Sequence, residues 1–189
     1  MVKQAVILCG GRGERLSDGF RYQPVGTVPK PLVEVGGKPF VTYAIKMLLG
    51  IGIEDIILSV GYLKEEFGFL KQRGVRLVDA KETPHQSVQT IPDLQSLFIL
   101  LNGDCFPIMD WRGFCNTDFP RVAVKIVDRD AGIAVVSKES IYCGGVDCGS
   151  ISGMLDQMEN YTILGGLHVG TYQGLERARQ FMDLVVFGQ

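Results

Sequence analysis

Along the chain, short runs of consecutive apolar residues alternate with longer segments whose apolar positions recur at three- and four-residue spacing. The runs are Val2 to Leu8, Ile56 to Val60, Val75 to Val78, Leu97 to Leu101, Val122 to Val127 and Ile133 to Val136, each of strand length. Leu97 to Leu101 is the most apolar of them and is flanked by polar turns, which predicts a central strand covered on both faces. Phe40 to Leu49 puts Phe40, Tyr43/Ala44 and Met47/Leu48 on one helical face and runs into Gly50 and Gly52, residues suited to a helix C-terminus. Leu63 to Arg73, closed by Gly74, is read as a second helix, Ile151 to Met158 as a third and Leu175 to Phe187 as a terminal one. Strands alternating with helices in this way imply right-handed βαβ units, hence an α/β fold with a doubly wound, mostly parallel sheet. No internal repeat, low-complexity stretch or linker interrupts the pattern, so residues 1–189 are expected to form one domain.

Composition narrows the classes of function. Hydrophobic residues make up 46% and charged residues 21%, an ordinary globular balance. The net charge of −2 lacks the basic excess of a nucleic-acid platform. The apolar runs are too short to cross a bilayer, and the N-terminus lacks the pattern of a signal peptide, so a cytoplasmic protein without a membrane partner is expected. Five cysteines form an odd set, and in a reducing compartment free thiols are the simple reading. Cys143 and Cys148 have no second pair and the chain has two histidines, which disfavours a zinc site.

In a doubly wound sheet, ligands bind outside the carboxyl ends of the strands. Two such ends carry chemistry. After the first run stands Leu8-Cys9-Gly10-Gly11-Arg12-Gly13-Glu14-Arg15-Leu16, where glycines let backbone N–H groups cradle phosphate oxygens and arginines neutralise them. The same residues would also make a tight turn that binds nothing. A dinucleotide fingerprint is excluded because Leu16 stands where its third glycine belongs, and no GxxxxGK[ST] occurs. After the most apolar run stands Asn102-Gly103-Asp104, and a carboxylate at that lip suits Mg²⁺ beside a polyphosphate as well as it suits a turn or helix cap. Between them, Pro29 and Pro31 hold Lys30 in what reads as an extended, stiffened segment, able to point at developing negative charge; a solvated lysine is the plain alternative. Arg15 and Lys30 ride on a flexible loop, and neither is expected in the core.

Taken together and in order, these segments resemble the sugar-1-phosphate nucleotidyltransferases, also called nucleotide-sugar pyrophosphorylases. Leu8 to Leu16 is similar to that family's Gly-Gly-x-Gly-x-Arg-Leu loop, Pro29-Lys30-Pro31 to its Pro-Lys and Asn102-Gly103-Asp104 to its Asn-Gly-Asp. Gly52 to Tyr62, Ala131 to Val135 and Val169 to Tyr172 with Arg177-Ala178 extend the resemblance over nearly the whole chain. Gly36 to Phe40 and Leu58 to Tyr62 look most like the heptose-1-phosphate guanylyltransferase branch, with the hexose-1-phosphate enzymes next. The resemblance implies a Rossmann-like nucleotidyltransferase fold and a reaction in which a sugar 1-phosphate oxygen attacks the α-phosphorus of an NTP and pyrophosphate leaves. Carried over by position, Leu8, Gly10, Gly11, Gly13 and Gly103 would hold the nucleotide. Arg15 would stabilise the leaving pyrophosphate, Lys30 would bridge the approaching phosphates and Asp104 would hold Mg²⁺, with Mn²⁺ as a substitute. A homodimer fits a small apolar domain of this type.

The chain departs from the family's pattern at identifiable places. The Gly-Thr-x-Gly-Ala loop that helps to grip the base falls on Gln86-Ser87-Val88-Gln89-Thr90, without either glycine. The Glu-Lys-Pro segment that helps to hold the sugar is missing, Val122 to Val136 is short, and the loop from Arg15 to Lys30 is long. His168 stands where the family's Asp-x-Gly-Thr motif has a second metal-binding Asp, either taking that arm or serving as a structural histidine. Two alternatives therefore accompany the leading reading. One is cytidylyl transfer to another phosphorylated alcohol or a phosphonate; the other is a degenerate homologue that binds nucleotide or nucleotide sugar without turnover.

Overall fold

The computed structural model describes residues 2–12, 28–107, 110–115, 122–126, 129–139, 159–163, 166–169 and 172–187. The first apolar run forms β1 (Gln4–Cys9), whose side chains alternate between two buried faces. A 3-10 turn, Lys30–Leu32, leads into the hairpin of β2 (Glu34–Val35) and β3 (Lys38–Pro39). Helix α1 (Val41–Gly50) lays Val41, Ala44, Ile45 and Leu48 on one face of the sheet, against Ala5, Ile7, Ile56 and Leu58. It ends as its glycines suggest: Gly52 has φ +89, its N–H donates to Leu49 O, and the Ile53 N–H donates to Leu48 O. That pair of bonds is a Schellman motif, and the left-handed residue it needs is the one without a Cβ.

There follow β4 (Asp55–Val60), a 3-10 segment Lys64–Arg73, and β5 (Arg76–Asp79). The helix expected over 63–73 forms as the 3-10 segment Lys64–Arg73. Among its described side chains Phe67 and Leu70, three apart, turn inward while Phe69 stays exposed. Next come α2 (Pro84–Gln89), β6 (Leu97–Asn102), β7 (Cys105–Pro107), α3 (Trp111–Cys115), β8 (Val122–Ile126), β9 (Arg129–Ser137), β10 (Glu159–Ile163), β11 (Gly166–His168) and α4 (Tyr172–Phe187). The helix expected over 151–158 lies outside the described residues.

The main sheet has seven strands in the order β10-β8-β9-β6-β1-β4-β5. Pairs β1·β4, β1·β6, β4·β5 and β8·β10 are parallel, while β9 runs antiparallel to both β6 and β8. The exception has a local cause: two residues separate β8 from β9, too few for a parallel crossover. β6 occupies the middle of the sheet with Phe98 to Leu101 buried, Ile99 and Leu101 on the α1 face and Phe98 and Leu100 on the α2 face. The reading of 97–101 as a doubly covered central strand holds. No helix among the described residues is long and apolar enough to cross a membrane.

At the amino ends of the strands, a polar clamp sets the register. The fully buried Gln4 amide donates to Asp55 Oδ2 (2.7 Å) and Asp93 O (3.2 Å), and its oxygen accepts from Gln95 N (2.8 Å). Arg76 grips Asp55 through two 2.8 Å bonds from its Nε and a terminal guanidinium nitrogen. The Arg76 guanidinium, aided by Gln4, holds the Asp55 carboxyl below its ordinary pKa against the opposing effect of burial. Ionised Asp55 therefore contributes stability that is present above its unfolded value, about 3.9, and is lost as pH falls through the lower native value. Asp55→Asn should melt below the wild type by a constant margin at neutral pH. Thermal melts from pH 7 to pH 3 should show that margin closing below about pH 4, and a margin independent of pH would remove the ion pair as its source.

Candidate functional site

The carboxyl ends of β1, β4, β5 and β6 surround a cleft of about 360 Å³. Its walls include Leu8, Cys9, Gly10 and Gly11 from the end of β1, and Lys30 and Pro31 from the 3-10 turn. Asn102 and Asp104 enter from the end of β6. The remaining wall is Ser59 at the end of β4, then Ala80, Lys81, Glu82, Pro84 and Ser87 after β5. Segments as far apart in sequence as Gly11 and Asn102 thus meet where the strand-end rule places ligands.

Lys30 differs from its expected setting. It is the first residue of the 3-10 turn rather than part of an extended segment: Pro29 is extended (φ −56, ψ 139), Leu32 N–H donates to Pro29 O and Val33 N–H to Lys30 O. Nor is it a peripheral loop residue, being 9% exposed. A turn with proline at its second position shortens the backbone and draws the lysine beneath the cleft wall, where its charge acts with less screening by water.

Gly103 sits behind the wall rather than on it. Its N–H donates to Leu8 O (2.9 Å), tying the end of β6 to the end of β1. A Cβ at this position would come within 2.8 Å of Cys9 Sγ and 2.9 Å of both Leu8 O and Pro31 Cγ. The three segments can approach this closely because the residue between them has no side chain. Gly11 is the opposite case, with no atom of the described residues within 4 Å of an added Cβ.

Asp104 is half-buried at the cleft, and Cys105 Sγ donates to its Oδ1 at 3.4 Å. Burial, followed by the negative charge of Asp104, pushes the Cys9 thiol well above its ordinary pKa, so Cys9 is a neutral packing group and not a nucleophile. Cys9 and Cys105 are buried thiols, and Cys143 and Cys148 lie outside the described residues. Asp104 is an oxygen donor of the hard type that Mg²⁺ prefers, beside the amide of Asn102 in the same cleft. Among the described residues no group of three or more His, Cys, Asp or Glu side chains could hold a metal by itself, so a cation here would depend on substrate oxygens and water. The backbone of His168 pairs with Cys105 in the β7·β11 ladder, and the N–H of Val169 donates to Asp104 O (2.9 Å). Gly13 and Arg15 lie outside the described residues.

Of the wall formed by residues 80–87, Ala80 to Pro84 went unread in the sequence, while Gln86 and Ser87 fell where the family's base-gripping loop would lie. Thr83 caps α2 in a capping box with Gln86, the Thr83 Oγ1 accepting from Gln86 N and the Gln86 side chain accepting from Thr83 N. Ser87 Oγ accepts from Lys81 N (2.8 Å) and donates to Thr83 O (2.8 Å), holding the strand end and the helix together. Gln86 to Gln89 is therefore helix where the family's glycine loop would lie, and the segment has no need of glycine. The signal was present: Ala80 follows the last residue of β5, and the strand-end rule applied to β1 and β6 applies equally there.

The fold and cleft define a Rossmann-like nucleotidyltransferase architecture. The chain belongs to the family of MobA-like NTP transferase domains, which it matches over residues 5–129. It is 50% identical over 76 residues to choline-phosphate cytidylyltransferase of Streptococcus pneumoniae, covering 40% of this chain and 31% of that protein. It is 31% identical over 111 residues to D-glycero-alpha-D-manno-heptose 1-phosphate guanylyltransferase of Campylobacter jejuni, covering 54% of this chain and 48% of the other. The chain thus spans less than half the length of these curated relatives in the matched regions. In fold it is similar to the crystal structure of HddC from Yersinia pseudotuberculosis, with a TM-score of 0.76 at 20% identity, covering 96% of this chain and 100% of that one. The resemblance to sugar-1-phosphate nucleotidyltransferases read from the sequence holds at the level of family and fold.

Proposed function

We propose that the chain is a nucleotidyltransferase that joins an NTP to a sugar 1-phosphate, a heptose or hexose, releasing pyrophosphate. The observation that carries this reading is the convergence of Gly10, Gly11, Lys30 and Asp104 on one cleft at the strand ends. In the reaction an acceptor phosphate oxygen forms a bond to the α-phosphorus as the bond to the pyrophosphate oxygen breaks. Negative charge grows on both sides, so the work is positioning and electrostatic stabilisation. Leu8 supports the nucleoside, the Gly10 to Gly13 backbone and Gly103 shape the phosphate cradle, and Arg15 neutralises the departing pyrophosphate. Lys30 faces the approaching phosphates from beneath the wall. Asp104 holds Mg²⁺ or Mn²⁺, with His168, whose backbone runs beside Asp104 through Cys105, as the second arm. The cation, when bound, supplies charge neutralisation at phosphate oxygens. We read the chain as one domain working in the cytoplasm, as a homodimer.

A second reading, cytidylyl transfer to a phosphorylated alcohol or phosphonate, draws support from the 50% identity to a choline-phosphate cytidylyltransferase. A third, binding without turnover, draws support from the helix that stands in place of the glycine loop. Pyrophosphate release should be measured with each of four NTPs against heptose and hexose 1-phosphates, phosphocholine and 2-aminoethylphosphonate. Release with a sugar 1-phosphate supports the first reading and release with the other acceptors the second. Melting shifts with NTP but no release with any pair would leave the third.

Nucleotide binding has its own test. Several NTPs should raise the melting temperature, more so with Mg²⁺. Gly11→Val should fold normally, since its side chain meets open space, yet abolish the shift by occupying the phosphate path. An undiminished shift in that variant would place the nucleotide elsewhere.

A further inference from the structure

The rung of the sheet that closes the cleft on the α2 side reads Asn102, Leu8, Ser59, Val78 across β6, β1, β4 and β5. Two residues earlier, the same face reads Leu100, Val6 and Ile57, all in the apolar core. Polarity thus appears in one step, where the sheet meets the cleft, and on both sides of Leu8. Asn102, Leu8 and Ser59 all line the cleft. Ser59 is 1% exposed, and its Oγ has no hydrogen-bond partner among the described residues. The other buried serine of the wall, Ser87, has both of its hydrogen-bonding functions engaged by backbone. A buried hydroxyl without a partner is rare in a folded protein and calls for a reason.

The phosphate-directed groups, Gly10, Gly11, Lys30 and Asp104, line the same cleft. Leu8 offers an apolar surface to a flat ring, and Ser59 is one strand away, about 4.8 Å, at the rim of that surface. We propose that Ser59 discriminates between nucleobases, its hydroxyl hydrogen-bonding the edge of the base that lies over Leu8. The proposal rests on the nucleotide-binding reading. In the ligand-free protein the hydroxyl is turned beneath the surface, and a serine changes wells by rotation about a single torsion. The same orphaned hydroxyl explains why polarity is tolerated next to Leu8: it is satisfied when substrate arrives.

The test compares wild type, Ser59→Ala and the nearly isosteric Ser59→Cys by calorimetric titration with ATP, CTP, GTP, UTP and inorganic tripolyphosphate, all with Mg²⁺. Both variants should bind the wild type's preferred NTP about tenfold more weakly, the disfavoured NTPs and tripolyphosphate nearly unchanged, so that selectivity narrows. Without ligand, Ser59→Ala should melt at or above the wild-type temperature, because no bond is lost. Equal weakening of all four NTPs, weakened tripolyphosphate, unchanged selectivity in both variants, or a ligand-free melting point several degrees lower would each overturn the role of Ser59. Wild type that binds no NTP would overturn the nucleotide reading as well, whereas selective wild type with unselectively affected variants overturns the role of Ser59 alone.

Discussion

Lys30→Met is expected to lower kcat by roughly a hundredfold or more while leaving the fold intact. Removing one preorganised charge aimed at a transition state typically costs about 3 kcal/mol, which is that factor in rate. The charge is effective here because Lys30 is 9% exposed and held by a proline-stiffened turn rather than waving in solvent. Methionine keeps the length and apolar stem of the side chain, so the packing around Pro31 and Leu32 survives, whereas alanine would also open a void. Steady-state kinetics beside a thermal melt decides the matter. A variant with wild-type kcat would remove Lys30 from the reaction, and one that fails to fold would make its role structural.

Gly103→Ala should be the most damaging single methyl group that can be added to this site. Its Cβ would press on the Leu8 carbonyl, the Cys9 thiol and the Pro31 ring at 2.8–2.9 Å, and two of these belong to β1. Overpacking of this kind costs about 1–3 kcal/mol, which in a chain of this size lowers Tm by roughly 2–10 °C. The Pro31 ring is next to Lys30, so relief of the clash on that side moves the turn that carries Lys30. Turnover should therefore fall by more than stability alone explains, even at temperatures where the variant is fully folded. Gly11→Ala is the matched control, since no atom of the described residues lies within 4 Å of its Cβ, and it should melt with the wild type. Equal melting temperatures for the two variants would show that the three segments do not converge on Gly103.

Much of this was legible in the linear pattern, for reasons that are local. The run 97–101 is apolar on both faces because both faces are covered, and Gly52 stops α1 because the Schellman turn requires a left-handed residue. Residues 8, 10, 11 and 104 were picked out by position relative to strand ends and Lys30 by its two flanking prolines, and all line the cleft. The 3-10 character of 64–73 was not legible, because the three-residue spacing of Phe67 and Leu70 also occurs on an α-helix. The antiparallel course of β9 depended on a connection too short for a crossover.

Local spacing and residue chemistry thus marked β1, β4, β5, β6, β8 and β9 as strands and placed the glycines and the carboxylate after β1 and β6, while β2, β3, β7, β10 and β11 carried no such mark. The depth of Lys30, the clearance around Gly103 and the membership of residues 80–87 and Ser59 in the same cleft were decided by tertiary structure alone. Each depends on distances between segments 20 to 90 residues apart. Such distances arise when β6, β1, β4 and β5 settle in register and bring their carboxyl ends to one edge, and no residue pattern within a single segment encodes them.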